Sequence, residues 1–144
     1  MNLIAAQPDK TTLQDSDLPT ILMTVGSTHW TLPGAILEGL WSIGDHHLAA
    51  TTDDVPYEDG LHLCLLSPKG EVTEEIQALS LYATGTFEFL GIDGSTLQFR
   101  FYDTPPWQLA IADQPQFRLP FAGLVKGTRR RPVALWSRLS VTEG

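Results

Sequence analysis

The sequence predicts an all-β protein, mainly antiparallel, folded as a sandwich or partly closed barrel of short strands. Three observations carry that expectation. Apolar runs are short and alternate with polar residues. Turn signals recur along the chain, among them Gly26-Ser27, Pro33-Gly34, Gly44-Asp45, Pro68-Lys69-Gly70 and Asp93-Gly94. Helical spacing competes with strand spacing in one stretch, within 73–81, where a short helix is the alternative.

Residues 1–19 are polar and hold Pro8 and Pro19, which predicts a loosely ordered N-terminal arm ahead of a single β domain at 20–144. Thr20–Val25 is a strand stopped by Gly26-Ser27, and His29–Leu32 is a short extended piece. Leu37–Ile43 and His46–Ala50 flank Gly44-Asp45. A two-residue loop led by glycine suits a type II′ hairpin, because glycine takes positive φ without a Cβ clash. That turn pairs Ile43 with His46, Trp41 with Leu48 and Gly39 with Ala50. Leu37, Trp41, Ile43, Leu48 and Ala50 then make the core face, and Leu40, Ser42, His47, Ala49 and Thr51 the other.

Pro56 and Gly60 mark 53–60 as a loop. Leu61–Leu66 resumes a strand, closed by a type I turn at Pro68-Lys69 with Gly70 in the left-handed position. In 71–82, Val72, Ile76 and Leu79 fit a helix, whereas Val72, Glu74, Ile76 and Ala78 fit a half-apolar strand. The preceding turn favours the strand. Thr84–Gly91 and Ser95–Tyr102 form the clearest hairpin. A three-residue loop with Gly94 as its bulge pairs Phe89 with Leu97 and Phe87 with Phe99, and buries Phe87, Phe89, Leu97, Phe99 and Phe101 together.

After Pro105-Pro106, Trp107–Ala112 is a strand and Gln114–Pro120 a proline-punctuated edge. Phe121–Val125 reads as a short strand and Thr128–Arg131 as a solvated basic loop. Val133–Val141 is the last strand, with Val133, Leu135, Leu139 and Val141 on one face. LEGLWSIGDHHL and FEFLGIDGSTLQF are faintly alike, but two copies do not make a propeller.

Composition narrows the function. At 144 residues, 42% apolar and 18% charged, the chain suits one globular domain. No apolar run is long enough for a membrane-spanning helix, and the first residues lack the pattern of a secretory signal. Cys64 is alone and cannot form an internal disulfide. Together these predict a soluble, cytoplasmic setting. A net charge of −8 disfavours nucleic-acid binding. The charge is uneven: 3 basic and 16 acidic residues in 1–117 give −13, and 6 basic and 1 acidic in 118–144 give +5.

The familiar nucleotide, zinc-protease and hydrolase motifs are missing. Weaker candidates remain. Asp53, Asp54, Glu58 and Asp59 offer clustered oxygens to a divalent cation such as calcium. Asp53 or Asp54 with His62 makes a possible acid–base pair, and Cys64, on the same strand face as His62, a possible nucleophile. If Asp53 pairs with His62, the His46-His47 pair lies about 20 Å away along the strand, so the histidines do not gather on one metal. Lys126, Arg129, Arg130 and Arg131 form a basic run suited to an acidic partner. Trp30, Trp41, Trp107 and Trp136 could line a small-ligand pocket in a barrel. Weighed together, these features favour a non-catalytic β domain that associates with a protein partner or weakly with itself, without nucleic acid or membrane. The alternatives are a metal-binding protein or enzyme using the 53–62 loop, His46 and His62, and a small-ligand-binding barrel.

Overall fold

The computed structural model describes the backbone of residues 1–14, 17–54, 58–81, 87–101, 105–125 and 127–143. In chain order the strands are β1 (Ile4–Ala5), β2 (Lys10–Gln14), β3 (Thr20–Val25), β4 (Thr28–Pro33), β5 (Ile36–Ile43), β6 (His46–Thr52) and β7 (Glu58–Leu66). They continue as β8 (Val72–Leu81), β9 (Phe87–Asp93), β10 (Thr96–Phe101), β11 (Trp107–Phe117), β12 (Thr128–Arg131) and β13 (Trp136–Glu143). Every strand pairing is antiparallel.

The strands form three sheets, ordered β1-β5-β6-β7-β8-β12, β13-β11-β10-β9 and β2-β3-β4. They stack as a layered sandwich with the six-stranded sheet in the middle, and among the described residues none closes into a barrel. One face of the middle sheet supplies Trp41, Ile43, Leu48, Leu61, Leu63, Leu65 and Ile76, which meet Leu97, Phe99, Trp107, Leu109 and Leu139 of the four-stranded sheet. The opposite face supplies Leu40, Ala49, Cys64 and Leu66, which meet Ile21, Met23, Trp30 and Leu32 of the three-stranded sheet. Leu48–Thr52 and Gly60–Ser67 are consequently buried on both sides. This second core is the reason Ala49 and Thr51, expected on an outer face, are inside.

The Gly44-Asp45 hairpin has the expected register, with Gly44 at φ 60. An irregularity between Leu37 and Gly39 turns Leu37 toward the second core rather than the first. Gly70 is left-handed, as the turn after β7 requires. Residues 72–81 form a strand and not the alternative helix within 73–81. Glu74, Ile76 and Ala78 are buried while Glu75 and Gln77 are only partly so, the two-residue period of a sheet.

Four further expectations are corrected. The 87–101 hairpin takes a register in which Gly94-Ser95 form the turn and Asp93 pairs with Thr96. A bulge beside Gln98 then brings Phe99 opposite Phe89 and Phe101 opposite Phe87. Phe87, Leu97, Phe99 and Phe101 are buried, but Phe89 is 49% exposed. It lies on the outermost strand, covered on one side by the Trp41 ring at 5.7 Å. Phe121–Val125 is a turn rather than a strand, with the Ala122 N–H donating to the Leu119 carbonyl. Thr128–Arg131 is a strand on the edge of the middle sheet, not a loop, because β8 offers it a free edge. Val133 and Leu135 precede β13 and are exposed.

The N-terminal stretch expected as a loose arm contributes β1 and β2. Leu3 anchors it in the main core, and its N–H donates to the Gly94 carbonyl.

Candidate functional site

The three-stranded sheet covers the middle sheet over β5, β6 and part of β7. Toward β8 and β12 the same face carries a transverse polar row. Cross-strand pairing sets Thr51, His62, Gln77 and Arg129 side by side on β6, β7, β8 and β12. The next row holds Ala49, Cys64, Glu75 and Arg131.

His62 is the centre of this surface. Its Nε2–H donates to Asp53 Oδ1 at 2.6 Å and its Nδ1–H to Glu75 Oε2 at 2.6 Å. The Asp53 N–H donates to the Gly60 carbonyl, which turns the Asp53 carboxylate back over β7. A Cβ at Gly60 would meet Asp53 Oδ2, so any side chain there would push the carboxylate off its place beside His62. Gln77 Oε1 accepts from Arg129 Nε at 2.7 Å, while Gln77 Nε2 lies 3.3 Å from His62 Nδ1. A cleft of about 460 Å³ opens here, lined by Asp53, His62, Gln77, Thr128 and Arg129 among others.

Burial disfavours a charged imidazole, but hydrogen bonds and charge from Asp53 and Glu75 outweigh it and raise the His62 pKa to about 9. At neutral pH the ring is therefore an imidazolium with both N–H groups engaged. It has no lone pair to act as a base. Its charge stabilises the fold fully below pH 6.5, the unfolded value, and progressively less as pH rises through about 9. The loss is on the order of 3 kcal/mol for a pKa rise of this size. Chemical denaturation from pH 6 to pH 10 should show the decline, and His62→Gln should flatten it. A wild-type stability unchanged over that interval would mean that the imidazole is not held as a cation.

No protein-family model, curated protein or solved structure matches the chain. The assignment of roles therefore rests on geometry.

The structure brings Asp53 and His62 together and adds Glu75 and Gln77, which sequence reasoning missed. Their signal was the strand alternation of β8, which puts 75 and 77 on the face opposite Ile76. His62 pairs across the strands with Thr51 rather than Asp53. Asp54 is exposed at φ 57, and the Glu58 and Asp59 side chains lie outside the described residues, as does Lys126. Among the described residues no group of three His, Cys, Asp or Glu side chains forms a metal site.

Cys64 is fully buried, and burial followed by the nearby Glu75 charge pushes its thiol well above the usual range. His46 donates from Nδ1 to Asp45 Oδ1 at 2.6 Å and faces Arg138. His47 pairs with Leu66, four residues along β7 from His62, and its ring lies 5.4 Å from Trp30. Trp30 belongs to one core, Trp41 and Trp107 to the other, and Trp136 is exposed, so the tryptophans surround no common cavity.

The basic run divides. Arg129 bonds Gln77, Arg131 is exposed opposite Glu75, and Arg130 is buried against Glu74 at 3.5 Å. Close to it lies a different surface. β10 reaches along β11 as far as Ala110, so the far end of β11 has β13 as its neighbouring strand. Gln116 pairs with Ser137 and Phe117 with Trp136, their rings 5.8 Å apart and edge to face. The Arg118 N–H donates to the Leu135 carbonyl, and its guanidinium fastens the base through Leu139 O, Ser137 Oγ and Gln116 Oε1. This two-stranded arm and its flanks expose Phe117, Leu119, Phe121, Val133, Leu135 and Trp136.

Proposed function

We propose that this chain is a non-catalytic β domain whose function is association with protein through the arm of 117–121 and 133–136. The observation that carries this reading is the exposure of six large apolar side chains on two short lengths of chain that hydrogen-bond to each other. Trp136 at 63%, Phe121 at 73% and Val133 at 78% exposure leave apolar surface in water that folding did not cover. Clusters of this kind mark interaction sites, and aromatic anchors dominate the energy of many interfaces. The enzyme reading is the weaker one. Its best residue, His62, is held as a cation between two carboxylates, and Cys64 is buried and protonated.

The test is the double variant Phe117→Ser with Trp136→Ser. Both side chains are exposed, so folding stability should stay within roughly 1 kcal/mol of wild type. Sedimentation velocity over a wide concentration range should show the wild type associating and the variant monomeric. A variant that still associates as the wild type does would remove the arm as the docking surface.

A further inference from the structure

We propose that the occupant of the arm is a second copy of this chain, docked head to tail, with the arm of one copy on the β9 edge of the next. The inference rests on the association reading above and gives it a partner.

Charge decides against the symmetric alternative. From 114 to 142 there is no acidic residue and there are six basic ones, Arg118, Lys126, Arg129, Arg130, Arg131 and Arg138, of which Arg130 is buried against Glu74 and the rest carry the repulsion. An isologous contact sets a surface against itself, so arm on arm would bring like charge together. The arm needs apolar surface with carboxylates around it.

β9 offers both. Among the described residues it carries three exposed large apolar side chains within four positions, Phe89, Leu90 and Ile92. Glu88 and Asp93 are exposed on the same strand, Glu88 lying 3.6 Å from Arg100. β9 is also the terminal strand of its sheet, and its outer edge has no neighbouring strand among the described residues. Such an edge presents backbone N–H and C=O groups to whatever docks. The arm belongs to β11 and β13, at the other side of the same sheet, so the two surfaces of one chain do not cover each other. A heterologous contact leaves each copy one free arm and one free edge, and so builds rings or open chains rather than stopping at a dimer. Its charged component makes it weaken as salt rises.

The experiment mixes two variants. Phe117→Ser with Trp136→Ser disables the arm, and Leu90→Lys with Ile92→Lys disables the edge. Sedimentation should show wild type forming species beyond a dimer, more at low salt than at high. Each variant alone should be monomeric, with circular dichroism like wild type. The mixture should form a one-to-one dimer and nothing larger, because one sound arm and one sound edge remain. A mixture that stays monomeric, or an edge variant that associates like wild type, overturns the head-to-tail contact and leaves the arm as a docking surface. A wild type that is monomeric at every concentration and salt overturns the second copy as occupant. If both variants associate like wild type, the arm reading falls as well.

Discussion

Replacing Phe99 with alanine is expected to cost about 3–5 kcal/mol of folding stability. Phe99 has no exposed surface and sits where the four-stranded sheet meets the middle one. Its ring stacks on Phe87 at a centroid distance of 5.6 Å and meets Trp107 edge to face at 5.9 Å. Removal forfeits the transfer energy of the ring and leaves a cavity whose walls belong to different strands. Those strands are tied into ladders and cannot close over the gap. The same substitution at Phe89, its cross-strand neighbour, should cost about 1 kcal/mol or less, since water already reaches half of that ring. Urea denaturation of the two variants measures both. Equal losses would mean that Phe89 is buried after all and that the hairpin pairs in another register.

That contrast bears on what a sequence discloses. The β5–β6 register was legible because a two-residue turn led by glycine fixes its neighbours locally, and no bulge lies between the turn and Leu40. The β9–β10 hairpin has a similar turn, but Leu90 is extra and shifts the pairing part-way along. Nothing in the alternation of FEFLGID announces a bulge. The same limit hid the second core. Leu61–Leu66 is apolar almost without interruption, the pattern of a strand covered on both faces, but the covering residues lie far away in β3 and β4. Asp53 and His62 were legible as neighbours because they face each other across one loop. Glu75 and Gln77 join them through pairing of β8 with β7, and Arg129 reaches Gln77 over 52 residues of sequence. Contacts of that span depend on sheet order, which local pattern does not encode.

Glu74→Ala is the second large effect, expected at about 3–5 kcal/mol. Glu74 is 7% exposed and points from β8 toward the start of β13. Its oxygens accept the backbone N–H groups of Arg138 at 2.8 Å and Leu139 at 3.0 Å, across 64 and 65 residues. The carboxylate thus ties β8 to β13 through two backbone amides. Arg130, 4% exposed, approaches the same carboxylate at 3.5 Å and donates to the carbonyls of Pro120, Ala122 and Leu139. One ion pair thus joins the middle sheet, the turn at 119–123 and the last strand. Alanine leaves a buried guanidinium without its counter-charge and two amides without acceptors. Glu74→Gln keeps the volume and one acceptor oxygen, and should lose less than alanine does. Amide exchange at Arg138 and Leu139 should rise in both variants, and more in the alanine one. A loss below about 1 kcal/mol for Glu74→Ala, with exchange unchanged, would show that water or a moved side chain replaces the carboxylate.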